Sequence, residues 1–286
     1  MEKEKTNVAL SSVIAAIFLT SFKLIVGLVT GSLGILSEAL HSGLDLVAAL
    51  ITYISVRISD KPPDKEHNYG HGKIENLSAF LETILLLITC IWIIYEAISR
   101  LISGKVHIEV TFWSYVVVIS SILIDFTRAR ALSRVAKKYN SQALEADALH
   151  FSTDIWSSVV VLIGLIVSNF GFYYADSIAA LAVAMIVIFI SIKLGRKAID
   201  VLLDKAPSSL YVKIETAMKQ IKEISQFHDI KIRTSGAFTF VEVNIHVDAG
   251  LSIQEAHEIS HKAEKEILKI VEKCEIHIHT EPEEEK

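Results

Sequence analysis

Six long apolar stretches decide what this chain can fold into. They run at roughly 8–30, 34–56, 77–101, 111–132, 144–168 and 175–197. At about 1.5 Å of rise per residue, each is long enough to cross a hydrocarbon core about 30 Å thick with some tilt. No water reaches backbone N–H and C=O groups there, so each stretch must close its own hydrogen bonds as a helix. Half of the sequence, 51%, is hydrophobic, which fits that demand. The stretches ETILLLITCIWIIYEAI and YYADSIAALAVAMIVIFISI are nearly pure, whereas the second and fifth carry polar residues at helical intervals. That contrast predicts a bundle with its polar helices inside and its greasier ones toward lipid.

Lys and Arg set the expected orientation. With the N-terminus inside, the cytoplasmic connections hold Lys3, Lys5, Arg57, Lys61, Lys65, Lys73, Arg128, Arg130, Arg134, Lys137, Lys138, Lys193, Arg196 and Lys197. The other side has only Arg100 and Lys105, so the balance of 14 against 2 predicts both termini in the cytoplasm. The charged start MEKEKTN leads into a segment interrupted by Lys23, as expected of a retained first span rather than a cleaved signal. Cys90 and Cys274 are the only cysteines and form no CxxC, which argues against a disulfide framework or a thiolate zinc centre.

From about residue 205 the composition changes. The remainder holds 11 Lys/Arg against 15 Asp/Glu and no apolar run longer than a strand. FHDIKIRTSG and FTFVEVNIHVDAG read as two strands around a turn, SIQEAHEISHKAEKEILKIVEK as an amphipathic helix and CEIHIHT as a last strand. With a first helix near 209–223 the order is αββαβ, enough for a small two-layer domain. The expected division is a membrane domain over 1–204 and a cytosolic one over 205–286.

The second stretch contains His41 and Asp45, and the fifth contains His150 and Asp154. Residues four apart share a helix face. Burying such groups in lipid is costly unless a partner compensates, and a dication bound by two imidazoles and two carboxylates would do so. The alternative is that each aspartate fixes the histidine on its own helix by a hydrogen bond. Two identical pairs in the two most polar helices favour the metal reading. Lacking thiolate, such a site would release its ion more readily than a structural zinc centre. Among other intramembrane charges, Glu38 is placed near His41, Lys23 is expected to snorkel outward, Asp147 lies one turn before His150, and Glu82 and Asp125 have no clear role.

At these residues the chain resembles the cation diffusion facilitator family of metal/proton antiporters, zinc type. The resemblance spans nearly the full length and is carried by GSLGILSEALHSGLD, DKEHNYGHGKIE, SQALEADALHFSTD and IHIHTEP. It implies a six-helix transmembrane bundle followed by a cytosolic ferredoxin-like, metallochaperone-like αββαβ domain. It further implies a homodimer in the lipid bilayer and alternating access that exchanges cytosolic metal for protons. A prokaryotic inner membrane is the expected location, and no nucleic-acid partner is expected.

By the same resemblance the transport site maps onto His41, Asp45, His150 and Asp154, with His41 standing where well-studied bacterial members have aspartate. Imidazole in place of carboxylate moves the donor set away from the hard-ligand preference of Mn²⁺. Zn²⁺ is therefore the expected cargo, with Fe²⁺, Mn²⁺, Co²⁺, Ni²⁺ and Cd²⁺ as alternatives. Asp64, His67 and His71 match the family's loop site, in a segment that Pro62 and Pro63 keep from being helical. Lys73 and Asp204 match a charge pair that joins protomers in relatives. A regulatory site maps onto His228, Asn244, His257, His279 and Glu281. Asn244 is a poor zinc ligand, and His246 two residues on is the candidate substitute. His261 and His277 read as surface residues.

The mechanism implied makes His41 and His150 proton carriers as well as ligands, since only the neutral ring binds metal. Asp45 and Asp154 keep the charge balance. An enzyme is not expected. A membrane-embedded zinc hydrolase would need an open coordination position and a general base, whereas four protein ligands would fill a tetrahedral shell.

Overall fold

The computed structural model describes residues 2–30, 33–103, 112–168, 175–271 and 273–283. Lys105, the first residue of the expected fourth span and most of the connections before the second and sixth spans lie outside them. Six helices come first: α1 (Glu2–Thr30), α2 (Leu33–Ser59), α3 (Lys73–Ser103), α4 (Phe112–Tyr139), α5 (Gln142–Ser168) and α6 (Ala175–Leu202). Several overrun the apolar stretches that announce them: α3 begins four residues before 77, and α4 runs seven past 132. Apolar length marks only the part in hydrocarbon. Lys, Arg and Glu are good helix formers, so the backbone ladder continues into the headgroup region.

Three helical segments, Lys3–Thr30, Glu38–Ser59 and Lys73–Ile102, are long and apolar enough to span a membrane, with mean hydropathies of 2.2, 1.5 and 2.3. The polar members sit inside, as their composition requires. Along α2, 44% of the span is buried, against 33% for α1 and α3. Helix α5 is the hub and touches α2, α3, α4 and α6. Phe151, Leu144, Ala143 and Ala148 of α5 share one core with Ala9, Val13, Ala16, Ala49, Val56 and Leu132. Alanines at these crossings let backbones approach where lipid supplies no hydrophobic drive. Ile88, Ile91, Trp92 and Tyr95 on α3 point outward.

The polar tail folds as α7 (Ser208–Lys219), β1 (Gln226–Ser235), β2 (Phe238–Val247), α8 (Ile253–Ile270) and β3 (Cys274–Pro282). β1 and β2 pair antiparallel through a turn with Gly236 at φ 59°, and β3 lies parallel to β2. The parallel pair requires the crossover that α8 provides. A capping box of Ser252 and Glu255 starts α8, whose buried Ala263 and Ile267 join Val241, Val243 and Ile245 in the domain core. Full burial of side chains like Ile245 and Ile267 contributes about 1.5–3 kcal/mol each. Both helices are shorter than expected. After Lys219 the chain tightens so that Ile221 and Ile224 can turn into the core, and Val271 is already extended at φ −134°.

Candidate metal site

Helices α2 and α5 bring His41, Asp45, His150 and Asp154 together inside the bundle. The shortest contacts run between helices, not along them. His150 Nε2 is 3.0 Å from Asp45 Oδ1, and His41 Nε2 is 3.7 Å from Asp154 Oδ1. The contacts within each helix are longer, 4.0 Å for His41–Asp45 and 3.8 Å for His150–Asp154. Ligand atoms of His41, Asp45 and Asp154 all lie within 4.8 Å of one another. Asp154 Oδ2 and His150 Nδ1 are buried without a hydrogen-bond partner. Two imidazoles and two carboxylates converging from two helices, with polar valence to spare, form a donor set suited to a divalent ion.

Lys23 does not snorkel outward. It is 5% exposed and donates to Ser42 Oγ at 2.8 Å and to Glu38 Oε2 at 3.3 Å, because α1 packs this face on α2. Glu38 is thereby engaged by Lys23.

Below the four residues, toward the C-terminal domain, lie polar layers that reading along the sequence did not single out. In one, Arg128 bonds Asp125 Oδ1 at 3.1 Å and Ser12 Oγ at 3.1 Å, and Ser12 donates to Asp147 Oδ2 at 3.3 Å. Thr52 and Ser78 donate to Glu82 in the same region. In the next, Glu75 takes Lys5 Nζ at 2.6 Å, Ser59 Oγ at 2.9 Å and the Ser141 hydroxyl, and Lys5 also reaches Asp60 at 2.7 Å. A signal for these layers exists in the sequence. Lys5 and Ser12, Glu75 and Glu82, and Asp45, Thr52 and Ser59 recur at intervals of seven, two turns along one helix face.

The loop after α2 gathers Asp64, His67 and His71. His67 Nδ1 lies 3.2 Å from Asp64 Oδ1, and His71 Nε2 lies 3.4 Å from Oδ2. The backbone N–H groups of His67 and Glu66 bond the Asp64 carboxylate and hold its pKa below the ordinary value. This loop also docks on the C-terminal domain. Tyr69 meets Phe240 edge-on at 5.1 Å, and the Arg233 guanidinium lies 3.8 Å over the Tyr69 ring. Gly72 runs so close to the β1–β2 turn that a Cβ there would sit 2.4 Å from the Ser235 carbonyl oxygen.

In the C-terminal domain, His228, His246 and Glu281 offer ligand atoms within 4.8 Å of one another. His228 Nε2 lies 3.1 Å from His246 Nε2, and Glu281 Oε2 lies 3.5 and 3.4 Å from them. The register explains it: β2 pairs His246 with Glu281 of β3 and Gln226 of β1, and a bulge follows His228. Asn244 and His279 approach Glu281 Oε1 at 3.5 Å each. His257 lies apart on α8, its ring 4.4 Å from that of His261, beside a groove that Glu281 also lines. His277 is exposed. Lys73 Nζ meets Asp204 Oδ1 at 2.8 Å within the one chain, tying the start of α3 to the second residue after α6.

The sequence was compared with known families and proteins. Residues 9–203 match the cation efflux transmembrane domain, and residues 206–283 match the cytoplasmic domain of cation efflux proteins. An uncharacterized transporter of Methanocaldococcus jannaschii is 36% identical over 93% of this chain and 95% of its own. The manganese efflux system protein MneP of Bacillus subtilis is 31% identical over 93% and 92%. Among solved structures, the metal-bound C-terminal domain of the CzcD transporter from Thermotoga maritima is 33% identical over 26% of this chain and 87% of that one, at a TM-score of 0.25. The match of both domains in order shows that the chain belongs to the cation diffusion facilitator family, whose members are membrane transporters that export cations and not enzymes.

Proposed function

We propose that this chain exports Zn²⁺ from the cytosol in exchange for protons, through the site formed by His41, Asp45, His150 and Asp154. The observation that carries the reading is the crosswise geometry, in which each aspartate lies nearest the histidine of the other helix. Hydrogen bonds that merely fix neighbouring side chains would run along each helix. Ligands of one shared ion would cross. The N₂O₂ set favours Zn²⁺ over harder ions. Imidazole binds metal only when neutral, so protons arriving from the far side compete for the same nitrogens and drive release.

The remaining clusters have places in this reading. Asp64, His67 and His71 form a second, more exposed metal site, and its loop seats on the C-terminal domain through Tyr69. His228, His246 and Glu281, with His279 and His257 at the margin, form a cytosolic site that senses metal. Here His246 takes the place that Asn244 cannot fill. The six helices span a prokaryotic inner membrane with both termini cytosolic, and the protein works as a homodimer. Lys73 and Asp204 lie where α3 and α6 leave the membrane.

Purified protein in sealed vesicles tests the function. Uptake of Zn²⁺, Cd²⁺, Mn²⁺ and Fe²⁺ is compared under an imposed pH gradient, with a pH-sensitive dye inside. Zn²⁺ is expected to move fastest, with protons in counterflow. Preference for Mn²⁺, as the name of the Bacillus subtilis relative says of that protein, overturns the choice of metal. Metal movement without proton flow overturns the antiport.

A further inference from the structure

Among the described residues, two fully buried carboxylates in the bundle have no ion-pair partner. Glu82 on α3 and Asp147 on α5 are both 0% exposed. One oxygen of Glu82 accepts from Thr52 and Ser78, and the other, Oε2, has no partner. Asp147 Oδ2 accepts from Ser12, and Oδ1 has no partner. Glu75, one layer below, shows what a settled buried carboxylate looks like here. It holds Lys5 at 2.6 Å and uses both oxygens.

Position makes the pair relevant to transport. Asp147 precedes His150 by three residues, one turn nearer the C-terminal domain. Glu82 is bonded to Thr52, seven residues beyond Asp45 in the same direction, so both acids lie on that side of the four site residues. The charged groups around them come from α4, α5 and α2: Arg128 with Asp125 beside it, His150, and Asp45; α1 contributes the Ser12 hydroxyl. Arg128 is committed to Asp125 and reaches Asp147 only through Ser12, and another group near them able to carry positive charge, His150, is engaged by Asp45. Two fully buried carboxylates on helices that pack together, with no cation in direct contact among the described residues, do not both stay ionised, so the pair keeps a proton until another positive charge arrives.

We propose that Glu82 and Asp147 form a buried proton-holding pair, separate from the metal ligands, which releases a proton when a divalent cation enters the His/Asp site and regains it when the cation leaves. The proton leaves a carboxyl O–H for water on the side of the C-terminal domain, and the carboxylate left behind balances part of the dication's charge. This rests on the antiport reading and deepens it, since the histidines are then not the sole proton carriers.

The test is calorimetric titration of Zn²⁺ into the full-length protein in lipid nanodiscs, in buffers of different ionisation enthalpy, which counts protons released per ion. The double variant Glu82→Gln/Asp147→Asn should bind the same number of ions and release about one proton fewer for the transport-site ion than wild type. An unchanged proton count overturns the proposal. Infrared difference spectra give a second readout that wild type supports alone. Metal addition should remove a protonated-carboxyl C=O band in wild type, and the double variant should lack that loss. No such loss in wild type, or its survival in the variant, overturns the pair. Both readouts are equilibrium ones, so vesicles that carry metal without proton flow would sink the antiport while the pair is still decided on its own.

Discussion

His150 Nε2 sits 3.0 Å from Asp45 Oδ1 on another helix, nearer than the 3.8 Å to Asp154 one turn along its own. The mirror relation holds for His41, at 3.7 Å from Asp154 and 4.0 Å from Asp45. A site wired this way makes α2 and α5 depend on each other, so on the proposed reading an ion leaving it would also loosen the contact between two helices. Alternating access needs such a link between occupancy and packing.

Changing a donor while keeping four ligands should change which metal moves. His41→Asp turns N₂O₂ into NO₃, a harder set with more negative charge. Mn²⁺ and Fe²⁺ uptake should rise several-fold relative to Zn²⁺. Acid inhibition should move down by about two pH units, the gap between imidazole and carboxylate. Vesicle uptake of the four metals between pH 5 and 8 checks both, and an unchanged ranking would show that His41 only lines the path.

Protonation of Asp64 should not be what releases metal from the loop site in mild acid. Backbone N–H groups depress the Asp64 pKa, so the order this acid confers is present above its unfolded value and lost only as pH falls through the depressed one. A fall in Zn²⁺ affinity between pH 7 and 5 would therefore not report protonation of Asp64. Asp64→Asn should lower affinity at every pH with the same midpoint, and a midpoint that moves would contradict this. Competition with a metal-sensitive dye measures this.

Gly72 is the point where the loop touches the β1–β2 turn. A side chain there would strike the Ser235 backbone at 2.4 Å, which cannot rotate away. Gly72→Val should lift Tyr69 off Phe240 and Arg233, destabilise the docked arrangement by about 1–3 kcal/mol and speed hydrogen exchange in the β1–β2 hairpin. Exchange at the wild-type rate would contradict the docking.

Lys73 and Asp204 form an ion pair that is more than a third exposed at both side chains. Its intrinsic worth is therefore modest, about 0.2–1 kcal/mol. Charge reversal at either position should loosen the α3–α6 end of the bundle and slightly weaken the proposed dimer, and the double reversal should recover most of the loss. A double-mutant cycle on dimer affinity with no coupling would remove the pair from the account.

Much of this architecture is legible in the sequence because it follows from length and periodicity. Apolar runs give the long helices, alternation gives β1 to β3, and the i,i+4 pairs give His41, Asp45, His150 and Asp154. What the sequence hides is what crosses between helices. Local spacing suggests that Asp45 serves His41, yet its nearest imidazole is His150, 105 residues away. Lys23 reads as a snorkelling residue because nothing local shows that α2 offers it Ser42 and Glu38. His246 becomes the better partner for His228 only once the strand register and the bulge after His228 are known. The layers around Glu75 and Arg128 are assembled from five helices, so their seven-residue spacing acquires meaning only when the faces are docked.

The central claim is that four residues on two helices hold one ion. Equilibrium dialysis at a free Zn²⁺ level that saturates the wild type measures it directly. Asp45→Ala and Asp154→Ala should each lose one bound ion per protomer, and the double variant should lose the same single ion and no more. A double variant that loses two ions, or single variants that lose none, would contradict a shared site.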